Sequence, residues 1–262
     1  MYQLFKSFAS PLRIALSASV AIGAALVPMS TSAMAVRPVI IDLGVTARAM
    51  STTLEVSNAF NDPLTVELTV REVTFGALDG EAPTFKPTED ILMFPPQALI
   101  APGAAQNFRV QYLGDPAITR SRHFVITVAQ LPVRLPEGQS AIQVLYNFQV
   151  LVSIGVPGIR SEIKLLSSSI VKNPAGDANA VLEVRNDTPT YGYLGEARLR
   201  LVQKDAAGTE IYRRSFTAQE LQQTVGFGLV APGQTRKITV PVKLPSADGT
   251  ISAEISLEPR RK

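Results

Sequence analysis

The chain holds one histidine, His123, and no cysteine. Without cysteine there is no thiol nucleophile, no iron–sulfur cluster and no cysteine-based zinc site. A serine nucleophile would depend entirely on His123 as its base. No Gly-x-Ser-x-Gly turn occurs to present such a serine. No glycine-rich phosphate loop opens onto a helical pattern, and the acids do not take the spacing of a calcium loop. Asp177, Asp187, Asp205 and Asp248 stand beside Gly or Pro in turn-like contexts, which is reason enough for their presence. No enzyme, metal or cofactor is therefore expected. The residues that remain as candidates are large apolar side chains and a few cations, which bind by shape and charge.

The apolar candidates lie between Ala141 and Val156. Ile142, Val144, Tyr146, Phe148, Val150, Val152 and Ile154 alternate with Gln143, Leu145, Asn147, Gln149, Leu151, Ser153 and Gly155. A period of two is the signature of a strand. An unbroken strand of about 15 residues would extend roughly 50 Å, whereas most strands run to 5–6 residues. Soluble proteins blunt an exposed edge with Lys, Pro or a bulge, and neither Lys nor Pro interrupts this run. Two readings follow: a central strand buried on both sides, or an edge kept open for pairing with a partner.

Stepping outward, residues 1–35 read as a secretory signal. Lys6 and Arg13 precede an apolar run from Ile14 to about Pro28, and Ala33-Met34-Ala35 offers an Ala-x-Ala cleavage site. The run is about 15 residues, short of the ~20 that cross a bilayer, so cleavage and export are expected. Removal of 35 residues from 262 leaves 227, carrying 23 cations against 22 acids. The pI of 9.2 therefore argues for neither nucleic acid nor an anionic membrane as partner.

From Val36 onward, short alternating runs dominate. Ser51–Asn58, Leu64–Val70, Gln106–Tyr112 and His123–Ala129 are separated by turn signals such as Asn61-Asp-Pro63, Pro95-Pro96 and Pro102-Gly103. The order then repeats. Leu54-Glu-Val-Ser-Asn58 returns as Leu182-Glu-Val-Arg-Asn186, 128 residues on, and Ile100-Ala-Pro-Gly103 returns as Val230-Ala-Pro-Gly233, 130 residues on. Two matches at nearly one offset indicate two copies of one fold. The expected class is all-β: two tandem immunoglobulin-like sandwiches over 36–157 and 158–262, divided at Gly155-Val-Pro-Gly158. One helical turn is expected from Ala218 to about Thr224.

Several segments together resemble a known family. Ile91-Leu-Met-Phe-Pro-Pro-Gln97, Ile100-Ala-Pro-Gly103 leading into Phe108-Arg-Val110, Gln130-Leu-Pro-Val133 and the run Ile142–Ile154 look like those of the PapD-like periplasmic chaperones of pilus assembly. The likeness covers the exported chain and is strongest from about residue 90 to 157. It implies a non-enzymatic chaperone that binds pilin subunits by donor-strand complementation and hands them to an outer-membrane usher. It implies no nucleic acid and no small-molecule substrate. The donated residues would be Ile142, Val144, Tyr146, Phe148 and Val150. Family members also hold the subunit's terminal carboxylate with two cleft cations. Here no Lys or Arg lies between Leu135 and Ile159, so Arg37, Arg120 and Arg122 are the candidate anchors, and the departure looks like the divergent, archaic branch. The alternative is a secreted immunoglobulin-like module that binds carbohydrate or matrix through loop aromatics, for which Tyr191, Tyr193 and Phe227 are the available residues.

Overall fold

The computed structural model describes residues 33–132 and 144–257. Residues 1–32 of the expected signal segment 1–35, Ile142 and the C-terminal Arg260-Arg261-Lys262 lie outside the described residues. Ten strands build the first half: β1 Met34–Arg37, β2 Ile40–Leu43, β3 Ser51–Asn58, β4 Leu64–Thr74, β5 Thr84–Pro87, β6 Ile91–Phe94, β7 Gln97–Ile100, β8 Ala105–Tyr112, β9 Arg122–Gln130 and β10 Asn147–Ile154. The second half contributes β11 Ile163–Lys172, β12 Ala178–Asn186, β13 Gly192–Tyr193, β14 Ala197–Lys204, β15 Glu210–Phe216, helix α1 Ala218–Val225, β16 Leu229–Val230, β17 Thr235–Val240 and β18 Thr250–Leu257.

In the first sandwich, β1-β3-β8-β6 faces a larger sheet ordered β2-β10-β9-β4-β5, in which β7 also pairs with β4. The alternation that predicts the strands also makes the core. Leu54 and Val56 of β3, Phe108 and Val110 of β8, Phe124 and Ile126 of β9, and Val150 and Val152 of β10 are all fully buried. The second sandwich sets β11-β12-β17 against β15-β14-β18, with β13 and β16 paired beside them. Its core draws on Leu182, Val184, Leu199, Leu201, Phe216 and Val240. Thr217 and Glu220 close a reciprocal capping box over α1, which explains why a helix interrupts an otherwise β chain.

The sequence repeat is a structural repeat. Asn58 donates through its side-chain amide to the carbonyls of Asp62 and Ile100, at 2.9 and 3.0 Å. Asn186 donates in the same way to Thr190 and Val230, at 2.7 and 3.0 Å. Gly103 and Gly233 donate their backbone N–H to the carbonyls of Asn58 and Asn186, and both adopt positive φ, 71° and 70°. The Pro-Gly turn is thus the same corner built twice, with glycine where a side chain would be strained. Asn186 also begins an Asn-x-Thr glycosylation pattern, but it is fully buried and its amide is committed to two carbonyls.

One expectation needs correction. The run 141–156 is not one unbroken strand, because β10 begins only at Asn147. Its partner β9 ends at Gln130, and the next residue turns toward β4, where Leu131 N–H donates to Thr65 at 2.9 Å. Residues 144–146 continue the line of β10 without a ladder, apart from Gln130 N–H to the Tyr146 carbonyl at 2.9 Å. In addition, β1 begins at Met34, which pairs with Asn58 and lies in the first core at 3% exposure. Cleavage after Ala35 would remove half of that strand.

Candidate functional site: the free edge of β10

Antiparallel pairing with β9 covers β10 along its whole length, from Asn147↔Ala129 to Ile154↔Arg122. On the other side, parallel β2 reaches only Leu151 to Ile154, and the Leu151 N–H also donates to Val39 at 3.1 Å. Among the described residues, no strand lies beside Asn147 to Val150 on that side. The free edge therefore extends from Val144 to Val150.

One face of this segment grades from core to solvent. Ile154, Val152 and Val150 are fully buried, Phe148 is half-buried against the first core, Tyr146 is 38% exposed and Val144 is 67% exposed. Leu145, on the other face, is 43% exposed. Tyr146 rests on Phe60 from the β3–β4 loop, ring centroids 5.8 Å apart. Phe60, Asp62, Pro63, Leu64, Val144 and Leu145 edge a shallow cavity of about 240 Å³ beside Gln130. Sequence reasoning identifies the segment but not Phe60, whose place beside Tyr146 depends on a contact across the sandwich.

The structure separates the expected site residues. Val144 and Tyr146 are accessible. Val150 is fully buried, with its side chain in the first core. Phe148 is shared between that core and the edge.

The three candidate anchors also separate. Arg122 forms ion pairs with Glu72 at 2.9 Å and Asp90 at 2.6 Å. Its hydrogen bond to Glu72, above all, raises its pKa further. Two carboxylates already pair with Arg122. Arg120 donates to the Pro232 carbonyl of the second sandwich. Arg37 is exposed at the end of β1, two residues before the Val39 carbonyl that meets β10.

Tyr191 and Tyr193 are not loop-tip aromatics. They are 6% and 1% exposed and pack with Leu229, Ile40, Phe75 and Leu151 at the junction of the sandwiches. Phe227 stacks on Tyr193 at 5.8 Å.

His123 lies beside Ser153, Nδ1 to Oγ 2.9 Å, which superficially resembles a nucleophile and its base. Ser153 is fully buried and His123 is 4% exposed, so no substrate reaches the pair. The second ring nitrogen, Nε2, is buried without a hydrogen-bond partner. Burial pushes the His123 pKa down to about 4, which keeps the ring neutral near pH 7.

No family model matches the sequence, and no curated protein matches it. Solved structures are similar in fold. One is the chaperone–tip adhesion subunit pre-assembly complex CsuC–CsuE of archaic Csu pili from Acinetobacter baumannii, at 14% identity and TM-score 0.45, covering 79% of this chain and 89% of that one. Another is the Salmonella enterica SafA pilin in complex with the SafB chaperone, at 15% and 0.48, covering 87% and 97%. A third is the E. coli chaperone DraB, at 15% and 0.46, covering 86% and 98%. At such identities and scores these likenesses carry no function across to this chain.

Proposed function

We propose that this chain is a periplasmic chaperone for pilus subunits in a chaperone–usher pathway, and that it lends residues 144–150 as a strand to an incomplete subunit. The observation that supports this reading is the graded face of β10. A single strand anchored by Val150, Val152 and Ile154 carries Phe148, Tyr146 and Val144 progressively out of the core, along an edge with no strand beside it among the described residues. An added strand gains main-chain hydrogen bonds, and alternate side chains enter its pockets. Each large side chain buried in this way is worth roughly 1.5–3 kcal/mol, before the cost of association is subtracted.

Arg37 is the candidate for the subunit's terminal carboxylate, because it is exposed at the end of β1, two residues before the Val39 carbonyl that accepts from the Leu151 N–H. The reading includes an exported chain, release to an outer-membrane usher, and no catalytic step. The carbohydrate-binding alternative loses its aromatic platform, since Tyr191 and Tyr193 are buried.

The test is affinity purification of tagged protein from the host periplasm, with mass spectrometry of what co-purifies. The expected result is a stoichiometric, β-rich subunit with the parent chain and none with Val144→Asp/Tyr146→Asp. Both substitutions sit on exposed positions and spare the core, unlike any change at Val150. Equal recovery of the subunit by the double variant would sink the proposal.

A further inference from the structure

Three polar residues lie side by side across the large sheet of the first sandwich. Asp42 of β2 is in register with Ser153 of β10, and Ser153 with His123 of β9. The second sandwich meets this row with two tyrosines on either side of Gly192. The hydroxyls of Tyr191 and Tyr193 both donate to the same oxygen, Asp42 Oδ1, at 2.6 and 2.8 Å.

The tyrosine rings continue into a row of edge-on contacts. Phe75 meets His123 at 5.3 Å, His123 meets Tyr191 at 5.5 Å, and Tyr191 meets Tyr193 at 5.3 Å. Nearby, Ser121 Oγ accepts from the Tyr191 N–H at 3.0 Å, and Thr190 Oγ1 accepts from the Val156 N–H at 3.3 Å.

Other bonds between the sandwiches are single contacts, and Arg120 adds one from its guanidinium to the Pro232 carbonyl. Ser121 N–H to the Pro189 carbonyl and Thr235 N–H to the Ala77 carbonyl join main chain to main chain. Lys237 N–H meets Asp79 at 3.1 Å in an exposed setting. Single bonds of that kind tolerate rotation about themselves. Two hydroxyls converging on one carboxylate oxygen do not, because each rigid phenol fixes a separate point and both bonds are charge-assisted.

We infer that Asp42, Tyr191 and Tyr193 form a latch that sets the angle between the two sandwiches. Phe75, His123 and Ser153 serve as its packed backing. The latch also fixes where β10 points, since Ser153 sits at one end of that strand and the free edge lies at the other. The inference stands whether or not a subunit pairs with β10, so its failure and that of the chaperone reading are distinguishable.

The absence of native cysteine permits a direct test on the full exported chain. Lys86→Cys and Lys172→Cys place one spin label on an exposed strand position of each sandwich, and pulsed dipolar spectroscopy reads the distance between them. The parent is expected to give one narrow distribution. Tyr191→Phe/Tyr193→Phe keeps both rings and removes only the hydroxyls, so the fold is preserved. It should broaden the distribution about twofold or displace its centre, as expected of a freed hinge. Asp42→Asn should do the same from the other side. The combined triple variant should add nothing further, because all three changes break the same bonds. An unchanged distribution in either the double phenylalanine variant or Asp42→Asn would overturn the latch, as would additive broadening in the triple variant.

Discussion

At the scale of single residues, this protein uses its polar groups as ties. The His123 ring stays neutral by burial, and the sign of its contribution to stability follows. Its folded pKa of about 4 lies below the ordinary 6.5, so the unfolded chain takes up the proton first. The stability held by the neutral ring is complete above pH 6.5 and is lost as pH falls through 6.5 toward 4. The total loss is about 3 kcal/mol. Urea unfolding at a series of pH values should show this decline, and His123→Phe should flatten it. Arg122 gives a second prediction. Arg122→Ala leaves Glu72 and Asp90 without their shared cation and should cost about 1–3 kcal/mol in denaturant unfolding. Under the proposed function subunit recovery should not change, because Arg122 is already paired with two carboxylates of its own sandwich. The corner asparagines give a third: Asn58→Ala and Asn186→Ala should each lower stability by about 2–3 kcal/mol, since each strands two main-chain carbonyls.

At the scale of elements, the segment from Val144 to Ile154 divides into a half buried in the core and a half with a free edge. Val150→Ala should destabilise the first sandwich by roughly 1.5–3 kcal/mol. Val144→Ala, three steps of the same alternation earlier and 67% exposed, should stay within about 0.5 kcal/mol. Chemical denaturation of the two variants side by side checks the division.

The same strand shows how far a sequence can be read. The alternation of Ser51–Asn58 and His123–Ala129 marks β3 and β9 because every second residue of each strand enters the core. The repeated Leu-Glu-Val-x-Asn and Ala-Pro-Gly segments mark the doubled sandwich because the Asn corner needs both parts. The length of β10 was not legible, because alternation persists past the point where β9 turns away at Gln130. Whether a strand has a neighbour is a property of other strands. The roles of Tyr191 and Tyr193 were hidden for a related reason: they follow turn residues, and contacts from distant parts of the chain, Ile40, Phe75 and Leu151 among them, bury them. Asp42 gave no local signal either, because it stands at an exposed position of the short strand Ile40–Leu43.

At the scale of the whole molecule, two sandwiches built on one plan have diverged at their edges. In the first, the corner after Asn58 carries Phe60 and stands beside the free end of β10. In the second, the corner after Asn186 carries Thr190 and Tyr191 and is spent on the junction. Duplication thus provides one face for joining the domains and leaves the equivalent face of the other copy open. The proposed function rests on that open face, which no strand covers among the described residues.

The most direct measurement of the central claim is amide hydrogen exchange, followed by mass spectrometry, on the free chain and on the complex recovered from the periplasm. The account predicts fast exchange in the free chain at the amides of Leu145, Asn147 and Gln149, which alternate onto the same side as the Leu151 N–H, and strong protection of the same amides in the complex, with β6 and β7 unchanged. Protection confined to β6 and β7, or to the second sandwich, with those three amides still exchanging freely, would contradict it.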